Sequence, residues 1–210
     1  MTGSSMKPEL AGRVYVVTHP EVIIDPTVPV PDWPLSARGQ ARMELMLRQP
    51  WVRGIEEVYC STERKALDGA QILARFLGLP YHPVAELREI DRSATGYLPP
   101  DEHRATADLL FAYPDDSVRG WETARAAQAR MVATIGTIVG NVSEQGDVAI
   151  VTHGGVAALY LCYLKGVDID RRQEAPHPGG GCYYCFCSGS LSLLHGWKTI
   201  DGLRSEPFDK

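Results

Sequence analysis

The chain has 210 residues and no apolar segment near the roughly 20 residues that cross a bilayer as a helix. A membrane partner is therefore not expected. Positive charge is also short. Lys and Arg number 21 against 26 Asp and Glu, a net charge of -5, and the pI is near 5.7. Bulk electrostatics thus give no reason to expect nucleic acid as a partner. Any anion site must be a local cluster of positive groups. Gly-x-Gly-x-x-Gly is missing after the first strand-like run, which sets aside a Rossmann dehydrogenase. The first residues are small and polar and lack a signal-peptide core, so the expected location is cytoplasmic. Residues 1–12 are expected to be a flexible N-terminus ahead of a single domain at 13–205. Of five cysteines, Cys182, Cys185 and Cys187 cluster, but no second Cys pair stands elsewhere. A structural zinc site needs four ligands in paired spacings. The cluster reads instead as a buried strand with cysteine as a small hydrophobe.

Two stretches are informative. Val14-Tyr15-Val16-Val17-Thr18-His19-Pro20-Glu21 and Val148-Ala149-Ile150-Val151-Thr152-His153-Gly154-Gly155 each run from apolar residues through a threonine to a histidine. Such short runs read as interior strands of a parallel sheet. Open parallel sheets bind ligands at the carboxyl ends of their strands. Two histidines delivered there are expected to face one another across one pocket.

Between these runs, strands and helices alternate. Strands are expected at 13–17, 57–60, 81–84 and 148–151, with two more within 181–194 around Ser188-Gly189. Ser36 is the expected cap of a helix with Ala41, Leu45 and Leu47 on its apolar face. Ser61 or Thr62 caps the next, whose face is Ala66, Ala70, Leu73, Ala74 and Leu77 before a stop at Gly78. Helices are also expected at 123–142 and 155–164. The proline-rich stretch 20–34 reads as a stiff extended loop. The polar stretch 92–114, with Gly96, Pro99 and Pro100 as breakers, reads as an excursion over the site. The fold class is α/β: a three-layer sandwich with a mostly parallel central sheet flanked by helices.

The order of motifs resembles the histidine phosphatase superfamily, the phosphoglycerate mutase-like fold. Thr18-His19-Pro20 stands where that family has Arg-His-Gly. Leu35-Ser36-Ala37-Arg38-Gly39-Gln40-Ala41-Arg42 resembles its Leu-Ser/Thr-x-x-Gly element. Ser61-Thr62-Glu63-Arg64-Lys65-Ala66 resembles its Ser-x-x-x-Arg-Ala helix start, with Arg64 offset by one residue. Leu87-Arg88-Glu89 matches its acid element, Gly120-Trp121-Glu122-Thr123 loosely its Gly-Glu-Ser, and Val151-Thr152-His153-Gly154-Gly155 its second histidine motif.

The resemblance implies a phosphomonoesterase acting on a small phosphorylated metabolite or binding inorganic phosphate, without cofactor or metal; it permits a homodimer. It assigns His19 as the nucleophile that becomes phosphohistidine. Glu89 is the implied proton donor and later base, with Glu86 as the nearest competitor. Arg64, His153, Gly154 and Thr18 are the implied phosphate contacts. His177, in the loop Pro176-His177-Pro178-Gly179-Gly180-Gly181, is a further candidate.

Thr18 is the main departure, because the family carries a clamping arginine there. Losing such a contact should cost roughly 2–4 kcal/mol of transition-state stabilisation. Lys65, Arg88 or His177 are candidate replacements. Thr18→Arg is expected to restore a clamp. The alternative is a catalytically impaired relative that binds a phosphorylated ligand or a protein partner. A phosphoglycerate mutase is a weaker reading, since Leu-Arg-Glu-Ile-Asp replaces the Asn-Glu-Arg of mutases.

Overall fold

Val14, Val16, Val148 and Ile150 point to one side of the central strands, while Tyr15, Val17, Ala149 and Val151 point to the other. This alternation with apolar residues on both faces requires cover on both sides. A computed structural model describes residues 11–143, 145–177 and 179–202. Most of the expected flexible N-terminus, residues 203–205 of the expected domain and Pro178 of the glycine-rich loop lie outside the described residues.

The strands are β1 (Arg13–Thr18), β2 (Ile55–Ser61), β3 (Tyr81–Val84), β4 (Asp147–Thr152), β5 (Cys182–Cys187) and β6 (Leu193–Thr199). They form a six-stranded sheet in the order β3-β2-β4-β1-β5-β6. The β3, β2, β4 and β1 strands run parallel, while β5 and β6 are antiparallel additions at one edge. All of β5 is buried, so its three cysteines are core residues with free thiols.

One face is covered by α1 (Ala37–Met46) and α2 (Arg64–Leu77). The other is covered by α3 (Pro100–Ala112), α4 (Ala124–Asn141) and α5 (Gly154–Lys165). The result is the expected three-layer α/β sandwich.

Four local expectations need correction. The buried apolar face of α1 is Met43 and Met46, not Ala41, which is exposed. Neither Ser61 nor Thr62 caps α2. Glu63 holds the cap position, and the Ser61 hydroxyl accepts its N–H at 3.2 Å. The stretch 92–114 is not all loop. Pro99 and Pro100 precede and open α3, because proline is tolerated where a helix has no N–H to satisfy, and Asp101 and Glu102 suit its first turn. The proline-rich loop turns once as a 3-10 helix at Val30–Asp32. The Trp33 indole pins that loop by donating to the carbonyls of Asp25 and Val28.

Ser36 caps α1 as expected, accepting the Gly39 N–H at 3.0 Å. Gly39 cannot be larger: a Cβ there would stand 2.2 Å from the Glu21 carbonyl oxygen. That approach ties the start of α1 to the chain just beyond β1. Adjacent parallel β1 and β4 end in register at Thr18 and Thr152, and the His19 N–H donates to the Thr152 carbonyl at 3.0 Å. Both histidines therefore leave the sheet at one carboxyl edge.

Candidate active site

The two imidazoles lie edge to face with ring centres 5.2 Å apart. Histidine 19 is oriented by its own loop. Its Nδ1 is 2.8 Å from the Pro20 carbonyl oxygen. A carbonyl only accepts, so Nδ1 carries the proton and Nε2 keeps its lone pair. Burial pushes the His19 pKa down and nearby Lys65 adds to this, against the Pro20 bond and the carboxylates of Glu89 and Glu63. The ring is therefore neutral and nucleophilic at neutral pH.

His153 differs. It is fully buried, and neither ring nitrogen has a hydrogen-bond partner. The Oε1 of Glu63 stands 3.6 Å from Nε2, beyond hydrogen-bond reach. Burial, His19, Lys65 and Arg92 hold its pKa well down despite Glu89. Leaving such a group unpartnered costs about 1–3 kcal/mol. Natural interiors rarely leave such a group without a partner, whether water, ion or ligand.

Three further groups converge. The Glu89 carboxylate accepts the N–H groups of Gly155 at 3.1 Å and of Val156 and Ile90 at 3.0 Å. It thus occupies the N-terminus of α5, where helix geometry favours an anion. Burial alone would raise its pKa, but Arg92 and the Ile90 amide favour the carboxylate and the net shift is downward. Glu89 is consequently a fixed carboxylate. It is suited to accept a proton and poorly suited to donate one. A Cβ at Gly155 would meet the Glu89 Oε1 at 2.7 Å, so a larger residue there would displace that carboxylate.

Glu63, which the motifs did not single out, links the groups. Its Oε1 accepts the Glu89 N–H at 2.8 Å, and its Oε2 pairs with the Lys65 ammonium at 2.5 Å. Lys65 is buried and also donates to the Val30 carbonyl at 2.8 Å. Lys65 is thus the inward-facing residue of the α2 start. Counting from Ser61 in the motif Ser-x-x-x-Arg would have found it, whereas the arginine beside it drew the reading to Arg64.

Arg64 does not join the pair. It is 62% exposed and bonded to Asp68 one turn on, at 2.7 Å. Thr18 is also turned to other partners. Its hydroxyl donates to the Cys182 carbonyl at 3.2 Å and accepts the Cys182 N–H at 3.0 Å, tying β1 to β5. The His177 imidazole accepts the Gly179 N–H at 3.2 Å within its own loop. The glycines beyond it support His19 from behind. The Gly181 N–H donates to the His19 carbonyl at 3.1 Å. Arg42, buried and passed over in the sequence, holds that loop by donating to Glu21, the carbonyls of Gly180 and Gly181, and Asp201. Gly154 begins α5, and open space faces the position where its Cβ would be.

Glu63 and Glu89 also line a cavity of about 490 Å³. One wall is Pro29, Val30 and Pro31, and the other is the segment from Arg88 to Ser93 with Gly96. Just beyond the two walls in sequence, Trp33 packs on Tyr97 with ring centres 5.7 Å apart. The excursion thus contributes its first residues to the site, and α3 lies beyond them. Among the described residues no helix is long and apolar enough to cross a membrane.

Residues 25–189 match the family model described as histidine phosphatase superfamily (branch 1). No curated protein matches the chain. Solved structures with this fold include Bacillus stearothermophilus YhfR, 24% identical, with a TM-score of 0.71 over 89% of this chain and 95% of that one. A mycobacterial glucosyl-3-phosphoglycerate phosphatase solved with inorganic phosphate is 19% identical, with a TM-score of 0.71 over 92% and 100% of the two chains. The alpha-ribazole phosphatase of Shigella flexneri is 17% identical, with a TM-score of 0.65 over 90% and 96%.

Proposed function

The chain belongs to the histidine phosphatase superfamily, and from that premise we propose that it is a phosphomonoesterase working through phosphohistidine on His19, with a weakened phosphate clamp. The observation that carries this reading is the Nδ1 bond of His19 to the Pro20 carbonyl, which leaves a bare lone pair on Nε2 of a ring whose centre is 5.2 Å from that of His153. In the first step Nε2 forms a bond to phosphorus and the ester P–O bond breaks. The leaving oxygen takes the electron pair and is protonated by solvent, because Glu89 is held as the carboxylate. In the second step water attacks phosphorus, its proton passes to Glu89, and the N–P bond returns its electrons to His19. His153 supplies hydrogen-bonding capacity to the equatorial oxygens.

Without a strong acid, turnover should depend steeply on the leaving group. p-Nitrophenyl phosphate should be hydrolysed far faster than a simple alkyl phosphate. The test is hydrolysis of both by the wild type and by His19→Ala, with alkaline-quenched intact mass to detect the phosphoryl adduct. Chelator should not change the rate. An adduct that persists in His19→Ala would end this reading.

A second reading has its own observation. The Glu63 carboxylate stands 3.6 Å from His153 Nε2, and neither Thr18 nor Arg64 brings charge to the pair. This favours a catalytically impaired relative that binds a phosphorylated ligand without turnover. Phosphate binding with no His19-dependent hydrolysis would select it.

A further inference from the structure

A site for a phosphate dianion needs a cation with free donors, and most cations near this cavity are already engaged. Lys65 is held by Glu63 and Val30. Arg42 is paired with Glu21 and Asp201, Arg64 with Asp68, Arg88 with Glu86, and Arg130 with Glu122. Arg92 is different. Among the described residues no carboxylate lies within ion-pair distance of it. Its Nη1 contacts the His103 Nε2, and its guanidinium carbon sits 5.6 Å from the centre of the Trp121 ring. Burial and Arg92 both push His103 down, so that imidazole is a neutral acceptor. This single contact leaves most of the five guanidinium donors uncommitted.

The guanidinium is also held in place. The Arg92 carbonyl accepts the N–H groups of Thr95 at 3.1 Å and Gly96 at 2.9 Å, closing a tight turn. Gly96 has φ of 62°, a conformation that favours glycine. The Trp121 indole, on whose face the guanidinium lies, donates to the Thr95 hydroxyl at 2.9 Å. Turn, ring and guanidinium thus form one unit on the cavity wall that also carries Glu89.

We propose that Arg92 is the guanidinium that grips the anionic oxygens of the substrate, so that in this chain the clamp comes from the 92–96 turn and not from the end of β1. The inference rests on the phosphomonoesterase reading for the identity of the anion. Its physical basis is independent of His19 chemistry: an arginine without a carboxylate partner, pre-oriented by an aromatic ring, on a cavity also lined by Glu63, whose Oε1 stands 3.6 Å from the unpartnered buried His153. Stacking on Trp121 fixes the fork without using its donors, which cation–π contact allows and an ion pair does not.

The experiment is binding of inorganic phosphate, by calorimetry, to the wild type and to Arg92→Ala, Arg92→Gln, Arg88→Ala and His19→Ala. Kd should rise about 10- to 100-fold in both Arg92 variants, the range for hydrogen bonds to a charged group, and less than about 3-fold in Arg88→Ala, whose guanidinium is engaged by Glu86. Millimolar guanidinium chloride should restore part of the phosphate affinity and of p-nitrophenyl phosphate turnover to Arg92→Ala. A residue that only braced Trp121 would not be rescued in this way. Should Arg92→Ala fail to fold, Arg92→Gln keeps length and polarity and carries the test. Phosphate binding to a folded Arg92 variant within about 3-fold of wild type overturns the proposal. Should His19→Ala also abolish turnover, the phosphatase reading stands alone. Arg92-dependent binding without His19-dependent turnover has the opposite meaning: the clamp stands and the phosphatase reading falls.

Discussion

The ends of β1 and β4 carry the same dipeptide, Thr-His, on neighbouring parallel strands, and they do different work. Thr18 bonds both backbone groups of Cys182, so it is a fastener between β1 and β5. Thr152 donates once, to the Leu87 carbonyl at 2.8 Å, and so holds the segment that leads to Glu89. His19 is followed by Pro20, whose carbonyl fixes its ring. His153 is followed by Gly154-Gly155, which start a helix whose amides are taken by Glu89, and its own nitrogens find no partner. The lesson is that the residue after each histidine sets its role. A loop with an available carbonyl gives an oriented ring. A helix start gives a buried ring with no partner in the protein.

The sharpest way to break this comparison is to remove each ring. His19→Ala should lower kcat/KM for p-nitrophenyl phosphate by at least about 1000-fold and abolish the adduct. His153→Leu should lower it about 100-fold or more, yet leave Tm unchanged or raised, because an unpartnered buried imidazole is replaced by an apolar group of similar size. A large fall in Tm for His153→Leu would mean that the ring is satisfied in solution and is structural.

The threonines come next. Thr18→Val strands a buried donor and acceptor at Cys182 and should cost about 2–3 kcal/mol in denaturant unfolding; Thr152→Val strands one carbonyl and should cost about 1 kcal/mol. Equal costs would remove the asymmetry. Thr18→Arg, expected from the motif comparison to restore a clamp, should instead destabilise by more than about 2 kcal/mol and give no gain in activity, since position 18 is buried and its hydroxyl is committed. A gain in kcat/KM would show that the strand end can still open to the substrate.

The pH dependence distinguishes the rings more gently. Both histidines have lowered pKa values, His153 the more strongly. The acid limb of kcat/KM should therefore lie below the ordinary imidazole value of about 6.5. Stability follows the same sign. A depressed histidine pKa means that the unfolded chain binds more protons, so this contribution is complete above about pH 6.5 and is lost as pH falls through that value. Glu89, also depressed, extends the loss at more acid pH. Stability that stayed flat from neutral pH to about pH 5 would contradict the buried neutral state of His153. The smallest effect belongs to Arg64. Arg64→Ala should change activity less than about 2-fold and stability by about 0.5 kcal/mol or less, as for an exposed i,i+4 pair.

Much of the fold could be read in the residues because short-range rules govern it. Apolar runs marked β1, β2 and β4. Ser36 announced its helix, and Gly78 ended α2 in a left-handed conformation with φ of 69°. The reading missed α3 because two prolines look the same as breakers and as helix starters, and only the chain around them decides between the two. At the site, His19, Glu89 and His153 were legible as residue types at strand and loop ends. The orientation of Arg64 was not, since adjacent helix positions differ by about 100° and either Arg64 or Lys65 can be the one that faces inward.

Local patterning alone determined an α/β chain that brings two histidines to the ends of parallel strands. That much follows from period-two alternation and turn residues, which act over a few neighbours. Tertiary structure decided which charges reach the histidines. Lys65 was turned inward to Glu63, Arg64 outward to Asp68, Thr18 across to β5, Glu89 onto the α5 amides, and Arg92 onto Trp121. The reason is physical. A buried charge stays where a partner compensates its desolvation, and those partners come from residues far apart in the chain that only the folded sheet brings together.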